Sequence, residues 1–389
     1  MGPLDRRRQW KLTDYQHMEQ SPAWAGYQWE PDPELRRRLR EATGLEPVLA
    51  ALPDDWEKLL ALMNFVHGVS GHQGWQEAPD LSALSLLAMA RTGEVVFRCV
   101  EFAHLLQQVC AAFGYAARVV GLRRAGSDDG LGRGHVVVDV WSPAHAKWIM
   151  LDPQFNMYYR DRAGSVLAPW EIADRVHAAH FGDLRLSGEA ELAAAYTGHE
   201  AQDNIDLGQV EVPDGFDRGE VWRSLPAHGG FPGFLRFWQE YYWELVYRTR
   251  YGLTRTRSPG GSEGAGVPLY YHREGELPPL LFQRLPQQVR YITDRSRLDV
   301  PLEGVELQWA PHPVPADAPL AATRRLDLML RHSMPWFDHY EVSQGGPWRP
   351  HRRHQLRVRL TAGANQLAVR AVNDLGRTGS AARLALVVN

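Results

Sequence analysis

Cysteine is scarce: Cys99 and Cys110 are the only two in 389 residues. On one helix, eleven positions separate them by about 16 Å, far beyond the ~7 Å that a disulfide can span. Neither is therefore a structural staple, and two thiols with no CxxC pair cannot make a zinc knuckle. At least one thiol is left for chemistry. Also missing is any apolar run near the ~20 residues of a membrane helix. Charge of one sign is missing too: 43 Lys+Arg face 46 Asp+Glu, for a net charge of -3. Phosphate backbones are bound by concentrated positive charge, so the expected partners include no nucleic acid. Met1 to Arg8 begin basic, but no apolar segment follows them. The stretch is not a signal peptide, which points to the cytoplasm, or to export for a chain whose leader had been removed. No complete calcium-loop spacing exists, and Asp128-Asp129-Gly130 reads as a turn. No metal and no cofactor is expected.

What is present is an ordinary globular balance, 44% hydrophobic and 23% charged, in a chain long enough for two or three domains. Residues 1–45 are polar and read as an extended arm followed by a short helix, Pro33 to Thr43. The basic run Arg36-Arg37-Arg38 there reads as a solvated helix face. Asp54 through His67 carries Trp56, Leu59, Leu60, Leu62, Met63 and Val66 at helical spacing, a core helix capped by Asp54 or Asp55. Gly68 to Gln76 has no periodicity and makes a loop rich in side-chain donors. Leu81 to Arg91 is a short amphipathic helix that Asp80 is placed to cap.

Glu94 to Phe113 organises the rest. Phe102, Leu105, Leu106, Val109 and Phe113 recur every three or four residues, as one buried helical face does. Cys99 falls in the first turn, where unpaired N–H groups and the dipole favour an anion, and a thiolate is the nucleophilic form of cysteine. After a strand over Ala116–Leu122, His135 opens another, Val136 to Trp141, whose hairpin partner is Trp148 to Leu151. If Trp141 pairs with Trp148, Asp152 lies opposite Val137 and on the face of His135, within reach of it. A one-residue slip would send Asp152 to the other face. Cys99, His135 and Asp152 are then a nucleophile, a base and an orienting carboxylate.

Three motifs carry a family likeness: Arg98-Cys99-Val100-Glu101-Phe102-Ala103, Gly134-His135 through Trp141, and Lys147-Trp148 through Asp152-Pro153. In this order they resemble the transglutaminase-like superfamily of papain-type cysteine enzymes, over about residues 55 to 175. The resemblance implies a catalytic triad of Cys99, His135 and Asp152. Many members carry an aromatic residue just after the histidine, where this chain has Val136. For substrate binding or the oxyanion, the candidates are His72, Gln73 and Trp75 in the upstream loop, together with Glu101 and Asn156. The backbone N–H of Cys99 is also placed for the oxyanion. Glu101 and Arg98 either contact substrate or pair with each other as a helix cap, and Asn156 either walls the cleft or serves a turn.

Farther on, Ala163 to Val176 is a turn and helix, and Glu189 to Tyr196 is helical by composition. Phe234 to Tyr251 is aromatic at nearly every second or third position and reads as a buried helix. Ser258 to Gly266 is a Gly-rich loop. From about Val300, short strands (Val305–Trp309, Arg324–Leu330, His339–Val342, Gln355–Leu360, Gln366–Val372) alternate with turns and suggest a β-sandwich. The run Leu360 to Gly379 resembles the last hairpin of immunoglobulin- or fibronectin-like modules. The expected fold class is α+β, a transglutaminase-like (papain-type) core with a C-terminal antiparallel β-sandwich. The expected division is 1–53 for arm and helix, 54–230 for the catalytic domain, 231–299 for aromatic helix and connector, and 300–389 for the sandwich, docked on the catalytic part.

The function expected is acyl cleavage or transfer on a peptide or related amide through a thioester. Alternatives are a protein-crosslinking enzyme, a glycan-binding or glycan-active protein, which the fourteen Trp would suit, and a non-catalytic interaction protein.

Overall fold

The computed structural model describes residues 10–16, 28–29, 32–71, 78–93, 95–123, 134–186, 242, 244–247, 250–251, 269–271, 290–292, 298–309 and 325–388. Outside them lie the expected helix Glu189–Tyr196, the turn at Asp128-Asp129 and the Gly-rich loop Ser258–Gly266. Two units emerge: residues 1–23 with 300–389, and residues 24–299. In chain order, β1 (Trp10–Gln16) belongs to the first. The second holds β2 (Gln28–Trp29), α1 (Pro33–Thr43), α2 (Glu46–Ala51), α3 (Asp55–His67), α4 (Ala83–Thr92) and α5 (Cys99–Ala112). It continues through β3 (Ala117–Arg123), β4 (Gly134–Ser142), β5 (Lys147–Leu151), β6 (Tyr159–Arg160), α6 (Pro169–His177) and β7 (Arg185–Leu186). β8 (Glu244–Tyr247), β9 (Arg250–Tyr251), β10 (Leu269–Tyr271) and β11 (Arg290–Ile292) complete it. The remainder, β12 (Val305–Trp309), β13 (Arg325–His332), β14 (Phe337–Ser343), β15 (Arg349–His351), β16 (Gln355–Arg359), β17 (Gly363–Asn373) and β18 (Ala382–Val388), returns to the first unit.

The larger unit is built around α5, whose residues from Glu101 to Ala112 are all buried. A helix hidden on every side must be packed on every side. α1, α3 and α4 lie against it, and so do β3 and β4. Local chemistry starts these helices where the sequence places them. Asp32 accepts from Leu35 N at 2.9 Å ahead of α1, and Asp54 accepts from Glu57 N at 2.8 Å ahead of α3. α4 departs from expectation: Ser82 is its cap position, and Asp80 accepts from Ser82 N at 2.9 Å and from the hydroxyls of Ser82 and Ser85. The basic run on α1 is also not simply solvated. Arg36 is buried and donates to Ala111 O at 3.1 Å, while Arg40 donates to Ala112 O at 2.9 Å. Two guanidiniums thus answer the last carbonyls of α5, the end where cations are favoured.

The sheet of this unit runs β11-β10-β8-β3-β4-β5. β3, β4 and β5 are antiparallel neighbours, and Trp141 pairs with Trp148. Arg118 and Asp139 face each other across β3 and β4 as a fully buried ion pair at 2.6 Å, with the guanidinium also 4.0 Å over the Trp148 ring and donating to Leu298 O at 2.6 Å. Burial pushes the Asp139 carboxyl up, and Arg118 pulls it back. The helix expected over Phe234–Tyr251 is corrected here. Its described part forms strands: β8 pairs with β3 (Val120 opposite Tyr247) and with β10. Leu245 and Tyr242 are buried. An aromatic-rich run suits a strand as well as a helix, and the open edge of β3 decides between them. Residues 234–241, 243 and 248–249 lie outside the described ones.

The other unit has two antiparallel sheets, β1-β18-β17-β14-β15 and β12-β13-β16. Burial alternates along β13 and β16, so each strand presents one face inward. Leu307, Leu328 and Val358 from one sheet share a core with Tyr340, Val369 and Leu384 from the other, which is a sandwich. The arm contributes a strand to it: β1 pairs with β18 from Trp10 opposite Val388 to Gln16 opposite Arg383. The fold class is α+β.

Candidate active site

Cys99 is the first residue of α5, preceded by Arg98 in extended backbone. The turn that presents it is held by Glu101. Its carboxylate accepts from Arg98 N at 3.1 Å, from the Arg98 guanidinium at 2.9 and 3.2 Å, and from Ala78 N at 3.2 Å. Glu101 has no solvent exposure. Of its two expected roles, the helix cap is the one it visibly fills: both oxygens are engaged, and the side chain clamps the start of the helix. The helical ladder opens here with Phe102 N donating to Arg98 O at 3.2 Å, so the Cys99 N–H comes before it begins. Cys99 is half-buried, whereas Cys110, a full three turns on, is buried and its thiol is pushed up by that burial.

His135 is the second residue of β4 and is buried. Its Nε2 donates to Asp152 Oδ2 at 2.6 Å, and its side chain also hydrogen-bonds to Cys99. With Nε2 committed to the carboxylate, Nδ1 is the nitrogen left for the thiol. Burial by itself lowers the imidazole pKa; the charge and hydrogen bond of Asp152, aided by Cys99, outweigh it and push the value up to about 10. The hairpin register accounts for the approach. Val138 pairs with Leu151, so the next pair outward sets Asp152 opposite Val137, two residues from His135.

Asp152 is fixed on its other side as well. Oδ1 accepts from Gln154 N at 3.0 Å and Phe155 N at 3.3 Å, and the Asp152 and Met157 backbones exchange hydrogen bonds of 2.9 and 3.1 Å. Asn156 closes this turn at φ 50°, the left-handed region that asparagine tolerates, and is buried. Of the two roles expected for it, the turn is the one it visibly fills. Two neighbours escaped the sequence reading. Phe155 lies 5.4 Å from the His135 ring. His67, the last residue of α3, reaches Pro153 O at 3.2 Å and Gln154 O at 3.1 Å. Phe155 could have been found from its place in a hairpin exit three residues past a buried carboxylate; nothing local signals His67. His72, Gln73 and Trp75 lie outside the described residues. Among the described residues, no group of three His, Cys, Asp or Glu is arranged to hold a metal ion, and no helix is long and apolar enough to cross a membrane.

Residues 45–153 match the transglutaminase-like superfamily, and that stretch contains Cys99, His135 and Asp152. No curated protein matches the chain.

Proposed function

We propose, from the premise that residues 45–153 are a transglutaminase-like domain, that this is a cysteine-nucleophile enzyme acting on a peptide or related amide. The observation that carries this reading is the run of side-chain contacts from Cys99 through His135 to Asp152. His135 Nδ1 takes the thiol proton, and the Cys99 thiolate attacks the amide carbonyl. Asp152 holds the ring with Nε2–H toward itself and stabilises the imidazolium that forms. The Cys99 N–H, at the positive end of α5, stabilises the oxyanion. The imidazolium then returns its proton to the leaving amine, which departs as the thioester forms. An incoming water, deprotonated by His135, gives a carboxylic acid and the free thiol; a primary amine in its place gives a new amide.

The test uses peptides carrying glutamine, asparagine and a C-terminal amide, with and without an added primary amine. Ammonia release and product mass separate hydrolysis from transfer. An acyl adduct on the Cys99 peptide, lost with Cys99→Ala and His135→Ala, is expected. Turnover by Cys99→Ala at the wild-type rate would overturn the proposal.

A further inference from the structure

We infer that His67 is a positioning residue that locks the turn carrying Asp152, an inference that rests on reading Cys99, His135 and Asp152 as a triad. The imidazole Nδ1 lies 3.2 Å from Pro153 O and 3.1 Å from Gln154 O. Carbonyl oxygens only accept, so Nδ1 must carry the proton and donate to both. That assignment is stronger than the usual ambiguity of a histidine ring, because neither partner can donate.

The two carbonyls belong to consecutive residues directly after Asp152, in the same turn whose N–H groups bind the carboxylate. Gln154 is the hinge of this arrangement: its N–H donates to Asp152 Oδ1 at 3.0 Å, while its carbonyl accepts from His67. One peptide turn is thus gripped from both sides, by the carboxylate within and by α3 without. Phe155, next in the turn, lies against the His135 ring. Displacing the turn would therefore move both the carboxylate that orients His135 and the ring that packs on it.

Helix α3 also packs on α5, whose first residue is Cys99. The triad is divided between a helix start and a hairpin end, elements with no covalent shortcut between them. His67 ties the hairpin end to the helical layer that supports the nucleophile. Its position at the C-terminus of α3, where a ring N–H is favoured by the dipole, suits a donor that reaches away from its own helix.

Chemistry supplies a discriminating variant. Asparagine places its amide nitrogen one bond beyond Cγ, as imidazole Nδ1 is placed; the glutamine nitrogen stands farther out, where Nε2 would be. His67→Asn should keep the clamp, and His67→Ala and His67→Gln should lose it. The experiment measures iodoacetamide alkylation of Cys99 in the folded full chain by peptide mapping, with Cys110 as the internal control for unfolding. Loss of the clamp is expected to slow Cys99 labelling about tenfold, since a displacement of about 1 Å at a reacting group can cost about a hundredfold. His67→Asn should label at close to the wild-type rate. In an Asp152→Asn background, His67→Ala should cost nothing further, because it acts through that carboxylate.

Wild-type labelling of His67→Ala would overturn the inference, and so would additive effects in the double variant or a His67→Asn rate as low as that of His67→Ala. The triad reading fails separately, if His135→Ala and Asp152→Asn leave Cys99 labelling unchanged. If those two slow it and His67→Ala does not, only the positioning role is lost.

Discussion

Each unit packs a histidine among aromatic rings, and the two are driven in opposite directions. In the sandwich, His332 stacks on Phe337 with ring centroids 3.8 Å apart and lies 6.1 Å from His354. Burial and the neighbouring His354 lower its pKa to about 4, with only a backbone hydrogen bond at Met334 opposing. In the larger unit, His135 is more deeply buried, yet Asp152 raises it. Burial penalises charge in both places; what differs is a carboxylate at 2.6 Å. A buried ring without an acid is packing material that stays neutral. With an acid, the same ring keeps its charged form through neutrality.

The hardest way to break that contrast is Asp152→Asn. It keeps the shape but removes the charge, leaving burial of His135 opposed by Cys99 without the carboxylate. Turnover on any amide substrate should fall by about 10³–10⁴-fold, the scale of losing such an orienting carboxylate. The alkaline limb of the pH–rate profile should also move to lower pH, which a pH series of initial rates would reveal.

Glu101→Gln probes how the same unit supports a buried charge elsewhere. The carboxylate is fully buried but Arg98 keeps 24% of its side-chain exposure, so a loss below the ~3–5 kcal/mol of a fully buried pair is expected, about 2–3 kcal/mol. Urea melts measure it, and Cys99 labelling should slow as the helix start loosens.

A smaller effect sharpens the comparison through stability. His135 has a folded pKa above its unfolded value, so its protonation stabilises fully below about pH 6.5, and that contribution fades as pH rises toward about 10. The stability gap between wild type and His135→Gln should therefore narrow steadily from pH 6.5 to 10 in urea melts. His332 carries the opposite sign. Its folded pKa lies below the unfolded value, so stability present above about pH 6.5 is lost as pH falls toward about 4. His332→Phe keeps a ring against Phe337 and should flatten that acid loss, the smallest of these effects because His332 is only partly shielded from water.

Local signals were legible wherever a residue and its cause are close in the chain. Asp54 caps α3, Pro33 opens α1 and Gly44 ends it at φ 66°, all within one turn of their effect. The hairpin of β4 and β5 was equally readable, because alternation and a short connector leave few registers, and the register carries Asp152 to His135. Reach defeated the rest. Nothing near Trp10 indicates that its partner is Val388, and nothing in the Glu244–Tyr247 run announces the vacant edge of β3. The Arg36 guanidinium was hidden in a run of three arginines, since only the fold says which one meets the end of α5.

The pairing of β1 with β18 sets an order of events during synthesis. Trp10–Gln16 leaves the ribosome first among the described strands, but Ala382–Val388 must follow before it has a neighbour to bond. The whole of residues 24–299 is made in between, and domains generally fold as units while the chain emerges. The unit carrying Cys99 can thus mature while β1 still waits with its hydrogen-bonding groups unmet. A chain arrested after Asp299 would hold Cys99, His135 and Asp152 together and, ahead of them, an unpaired strand edge exposed to any other nascent copy.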